Sequence, residues 1–73
     1  MYYREFPITP SQQAVNGALS IYVEGGRKND AHQMLFGLSV LRQATEEQIQ
    51  SAMPSVEASQ GITAVEIRAM LAA

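Results

Sequence analysis

The chain has no cysteine and no tryptophan, and a single histidine, His32, among its 73 residues. Without cysteine there is neither a disulfide staple nor a thiolate ligand for zinc. With one imidazole, a metal site would rest on carboxylates alone, a poor basis for tight structural binding. Charge is sparse as well. Charged residues make up 16% of the chain, seven acidic against five basic, for a formal net charge of −2. A field that weak advertises neither nucleic acid nor an anionic membrane. No apolar run approaches the ~20 residues of a membrane span. The opening Met1-Tyr2-Tyr3-Arg4-Glu5-Phe6-Pro7 also lacks the apolar core of a signal peptide. These absences predict a soluble cytoplasmic protein that holds no cofactor and no metal and enters no membrane.

What is present is apolar. Hydrophobic residues reach 47%, too many for a disordered chain. A chain of this length makes one domain and buries only about 60% of its unfolded surface, which leaves a thin margin of stability. Self-association is the cheapest way to widen that margin.

One local pattern recurs four times: a capping residue, two spacers, then Gln or Glu. It appears at Thr9-Pro10-Ser11-Gln12, Asp30-Ala31-His32-Gln33, Thr45-Glu46-Glu47-Gln48 and Thr63-Ala64-Val65-Glu66. In such a box the first side chain accepts from the backbone N–H three residues on, and the Gln or Glu reaches back to the first N–H. Four boxes predict an all-α fold: a compact bundle of four short helices with an extended aromatic arm at the N-terminus. The single domain spans 1–73, with the arm at 1–8 and helices at about 10–24, 31–43, 46–53 and 64–72.

The stops and faces follow from residue type. Pro7 and Pro10 keep the arm extended, and Pro10 is placed at the first helical position after Thr9. Gly25-Gly26 is expected to end the first helix in a left-handed cap. Pro54 is expected to end the third, leaving Ser55 to Gly61 as a polar connector. Val15, Ala18, Leu19 and Tyr22 form the buried face of the first helix, and Gly17 hints at close packing. Met34, Leu35, Leu38 and Leu41 form the core face of the second. Ile49, Ala52 and Met53 serve the third helix. Ile67, Met70 and Leu71 serve the fourth, with Ile62 stapled against Ile67.

The second helix carries a further signal. Phe36 and Val40, one turn apart with His32 a turn earlier, point nearly opposite to its core face. A helix apolar on two sides is either central in its own domain or shared with a partner.

No residue set amounts to catalysis. Asp30 and His32 read as a cap and a first-turn histidine, since nucleophilic chemistry needs a base and an orienting group around a nucleophile. Glu46-Glu47 complement the dipole of the helix they open. Ser59 to Glu66 echoes half of a calcium loop but lacks its alternating oxygen ligands. Gly25-Gly26-Arg27-Lys28 follows a helix, whereas a phosphate loop follows a strand.

Two layouts bear on DNA. From Tyr2 to Gln43 the order is arm, helix, Gly-containing turn, helix, which resembles the ribbon-helix-helix repressors. That resemblance implies paired N-terminal strands reading the major groove and second helices forming a dimer core. Thr45–Met53 followed by Thr63–Leu71 loosely resembles a helix-turn-helix, although its expected connector exceeds the about three or four residues that motif uses.

The reading that results is a small non-catalytic protein-interaction module or regulator acting through an apolar helical surface and self-associating as a homodimer. Tyr2, Tyr3, Phe6, Phe36 and Val40 are its expected interface, because aromatic anchors dominate interface energetics. The competing arrangement folds the arm over its own second helix. The alternative function is a DNA-binding regulator, dimeric in either layout, with Arg4, Arg27 and Lys28 at phosphates.

Overall fold

The computed structural model describes residues 9–72, which form four α-helices and no strand: α1 (Gln12–Lys28), α2 (Ala31–Leu41), α3 (Glu46–Gln60) and α4 (Ala64–Ala72). The arm at 1–8 lies outside the described residues.

Three of the four expected helix starts stand where the sequence places them, two as full capping boxes. The other, at Asp30, is a half box whose own N–H bonds Gly25 O and not the Gln33 side chain. Asp30 accepts from the Gln33 N–H at 3.2 Å and opens α2. Thr45 and Gln48 form a reciprocal capping box at α3, each side chain bonding the other's backbone N–H at 3.1 Å. Thr63 and Glu66 do the same at α4, at 3.2 and 3.0 Å. The first start is corrected. Ser11, not Thr9, caps α1, its hydroxyl accepting from the Ala14 N–H at 3.1 Å, so Pro10 sits outside the helix.

Two expected stops are also corrected, each for a physical reason. Gly25-Gly26 does not end α1, which runs on to Lys28. The residue that takes the left-handed turn is Asn29, at φ 59°. Its N–H bonds Gly26 O at 3.4 Å and the Asp30 N–H bonds Gly25 O at 2.8 Å, the paired closure of a Schellman motif. Gly25 serves instead as a contact, since a Cβ there would lie 3.0 Å from Gln33 Cβ and Met34 N. Pro54 likewise lies inside α3 and does not terminate it. An interior proline costs about 3 kcal/mol. Carrying the helix past it buries Val56 at 1% exposure beside Ala52 and Met53, worth roughly 1.5–3 kcal/mol for a side chain of that size. Pro54 itself faces solvent. The helix ends at Gly61, φ 71°, whose N–H bonds Glu57 O at 2.9 Å. The polar connector thus shrinks to Gly61-Ile62-Thr63.

α1 is the hub, packing against α2, α3 and α4, while α2 and α3 lie along it with little contact between them. The pairings fix the directions. Gly25 meets Met34 and Gly37 meets Ala18, so α2 runs antiparallel to α1. Gln12 bonds the Gln48 carbonyl at 2.8 Å and Gln60 bonds Ser20 Oγ at 3.2 Å, so α3 runs parallel to it. The core is the stripe Val15, Ala18, Leu19, Tyr22 and Val23 of α1, closed by Leu41, Ala52, Met53, Val56 and Ile67. Tyr22 turns its hydroxyl outward to donate to Met70 O at 2.9 Å, which ties α4 to the hub. Ile62, Met70 and Leu71 pack on this core as expected, and Gly17, expected at a close contact, has no atom within 4 Å of where its Cβ would lie.

Candidate functional site on the outer face of the second helix

α2 is seated on α1 through a glycine. A Cβ on Gly37 would come within 2.7 Å of Ala18 O and 2.9 Å of Tyr22 Cβ, so only glycine allows this backbone approach. With Gly37 as the pivot, the inward face is Met34, Gly37, Leu38 and Leu41, an i, i+3, i+4, i+7 set. Gly37 and Leu41 are buried, and Met34 and Leu38 pack partly buried against the core.

At about 100° per residue, that seating turns His32, Phe36 and Ser39 outward, and all three are exposed. Leu35 and Val40 flank them. Leu35, expected in the core, is 62% exposed, because the pivot at Gly37 rotates it off the α1 contact. Phe36 is 60% exposed. Val40, expected beside Phe36 at an interface, is half-buried and packs against the core. Phe36 and Val40 remain one turn apart, with Phe36 the more exposed of the two and Leu35 exposed beside it in the sequence. Tyr2, Tyr3, Phe6 and Arg4 lie outside the described residues.

Charge is missing from α2. No Asp, Glu, Lys or Arg occurs between Ala31 and Leu41, whereas each other helix carries at least two. The most apolar of the four helices thus has two buried residues in eleven. The Ser39 hydroxyl is internally satisfied, donating to Phe36 O at 2.7 Å. His32 stands exposed in the first turn.

The expected phosphate ligands are placed at the far end of α1. Lys28 pairs with Glu24 at 3.2 Å. Arg27 donates to the Gln60 carbonyl, with Gln60 Oε1 at 3.4 Å. These residues line an open cleft with Gln60 and Glu24, but their cationic groups already face local acceptors. Among the described residues no three acidic or histidine side chains gather into a metal-ligating group. No described helix is long and apolar enough to cross a membrane.

Fold and face together define a class: a single-hub, four-helix domain with one uncharged helix turned to solvent. No family model, no curated protein and no solved structure matches the chain.

Proposed function

We propose that this chain is a small, non-catalytic protein-interaction module that acts through the outer face of α2, and that self-association is among the contacts it makes. One observation carries the reading: among the described residues, the one uncharged helix exposes the consecutive residues Leu35 and Phe36, at 62% and 60%. Covering such side chains returns roughly 1.5–3 kcal/mol each, and an aromatic at the centre of a patch is the usual anchor of an interface.

A photo-crosslinking amino acid at position 36 tests this, with position 50 on the exposed side of α3 as control. A protein captured at 36 and not at 50, once purified, should bind the native chain and lose at least tenfold affinity on Phe36→Asp. Equal capture at both positions, or undiminished binding by Phe36→Asp, would refute the docking face.

One feature favours a second reading. The α3–α4 turn, Gly61-Ile62-Thr63, has the length of a helix-turn-helix turn of about three or four residues. The chemistry around it is less favourable. Carboxylates already hold the α4 N-terminal region, with Glu57 accepting from the Ala64 N–H at 2.6 Å and Glu66 from the Thr63 N–H. Arg68 is paired with Glu46. DNA binding that weakened steeply with salt would favour this reading over the first.

A further inference from the structure

We propose that the occupant of the α2 face is a second copy of the same chain, paired antiparallel about a two-fold axis that passes Phe36. This rests on the reading of α2 as a docking face and adds the partner and the register.

Two observations point to self-pairing. Phe36 is the sixth of the eleven residues of α2, with Ala31–Leu35 before it and Gly37–Leu41 after it. A two-fold interface is self-complementary, so the residue on the axis meets its own copy. The one exposed aromatic of the described helices stands at that midpoint. The outward set also extends to both sides of it, with His32 a turn before and Ser39 a turn after.

The second observation is charge. The nearest charged residues flanking the uncharged helix are Asp30 before it and Arg42 after it, opposite in sign and both exposed. Antiparallel pairing brings each Asp30 end to the partner's Arg42 end and opposes the helix dipoles favourably. Parallel pairing sets like end against like end.

Area sets the strength. An eleven-residue helix is about 16 Å long, and its outer face supplies much less than the ~800 Å² per partner of a standard interface. The dimer is accordingly a weak, concentration-dependent one, with dissociation in the micromolar-to-millimolar range.

The absence of native cysteine allows a direct test in the full chain. Phe36→Cys, His32→Cys and Ser39→Cys each replace an exposed side chain, and Gln50→Cys on α3 reports random collision. On the axis, the two thiols at position 36 come together, so Phe36→Cys should give a covalent dimer under a mild oxidant well faster than Gln50→Cys. Positions 32 and 39 lie about 12 Å and 9 Å from their own copies along the helix, too far for a disulfide with Cβ atoms about 3.8 Å apart. Each should stay monomeric alone, yet His32→Cys mixed with Ser39→Cys should cross-link as a heterodimer. That mixture decides the matter even if Phe36→Cys folds poorly. Native protein should also shift towards dimer mass with concentration in sedimentation, and Phe36→Asp should abolish the shift while keeping its helical circular dichroism.

Position 32 or 39 cross-linking to itself as fast as position 36 overturns the antiparallel register. Phe36→Cys and the mixture both reacting at the Gln50→Cys rate overturn self-pairing altogether. If that happens while Phe36→Asp still abolishes binding of a purified partner captured at position 36, the docking face stands and the second copy falls.

Discussion

Besides the N–H it gives to the Thr45 hydroxyl, Gln48 makes three hydrogen bonds in three directions, and other half-buried glutamines also bridge elements. Its amide donates to Pro10 O at 2.7 Å, its oxygen accepts from the Thr45 N–H, and its carbonyl receives Gln12. Gln33 donates to Ile21 O and to Glu24, and Gln60 to Ser20. A long neutral amide can donate and accept at once without the desolvation of a charge, so these side chains latch α2 and α3 to α1 where a small core leaves polar backbone near the seam. Glycine acts at the same scale through absence. Gly37→Ala should destabilise by about 1–3 kcal/mol, because its Cβ meets backbone that cannot retreat. Gly17→Ala, with open space around it, should stabilise by about 0.5–1 kcal/mol through helix propensity. Denaturant midpoints moving in opposite directions would bear out both. Thr45→Ala should lower the midpoint by the equivalent of about 0.5–2 kcal/mol, whereas Thr9→Ala should leave it unmoved, since Ser11 does the capping.

Pro54 brings the argument to whole elements. Inside α3 and facing solvent, it deprives the helix of one N–H and gains no burial. Pro54→Ala should therefore raise the unfolding temperature with helicity retained; a fall would mean that the ring is needed where it stands. Along α2, Val40→Glu should reduce stability, because Val40 packs on the core, while Phe36→Asp should leave the unfolding temperature of dilute protein nearly unchanged. What the sequence alone revealed at this scale divides by the reach of the interactions involved. Caps at Asp30, Thr45 and Thr63 were legible because a capping box closes within four residues. Gly25-Gly26 was misread because glycine signals a left-handed turn and a close helix contact with the same letter, and only the approach of Met34 decides between them. Pro54 was misread because the breaker is a local signal, whereas the burial of Val56 that offsets most of its cost is tertiary. The outward aim of Phe36 was legible from its opposition to Leu38 and Leu41. The exposure of Leu35 was not, since it depends on α2 pivoting at Gly37.

At the scale of the molecule, the ten buried side chains of the described residues belong to one cluster whose spine is α1. α2 and α3 are held to that spine and scarcely to each other, while α4 touches both α1 and α3. The acid–base groups contribute little to cohesion: every side chain of the Lys28–Glu24 and Arg68–Glu46 pairs is at least 42% exposed, and pairs of that kind add between nothing and about 1 kcal/mol. Replacing Glu46 with Gln should accordingly shift the denaturant midpoint by the equivalent of less than about 1 kcal/mol. A spine with independent flanks also implies a hierarchy of opening. α2 can lift from α1 by breaking its contacts through Met34, Gly37, Leu38 and Leu41 without first disturbing α3. Native-state amide hydrogen exchange should show it as two tiers: amides of α2 exchanging through a partial opening, and those between Val15 and Val23 only through global unfolding. A copy clamped across Phe36 would raise the lower tier alone, so protection of α2 that grows with protein concentration would report self-pairing through dynamics.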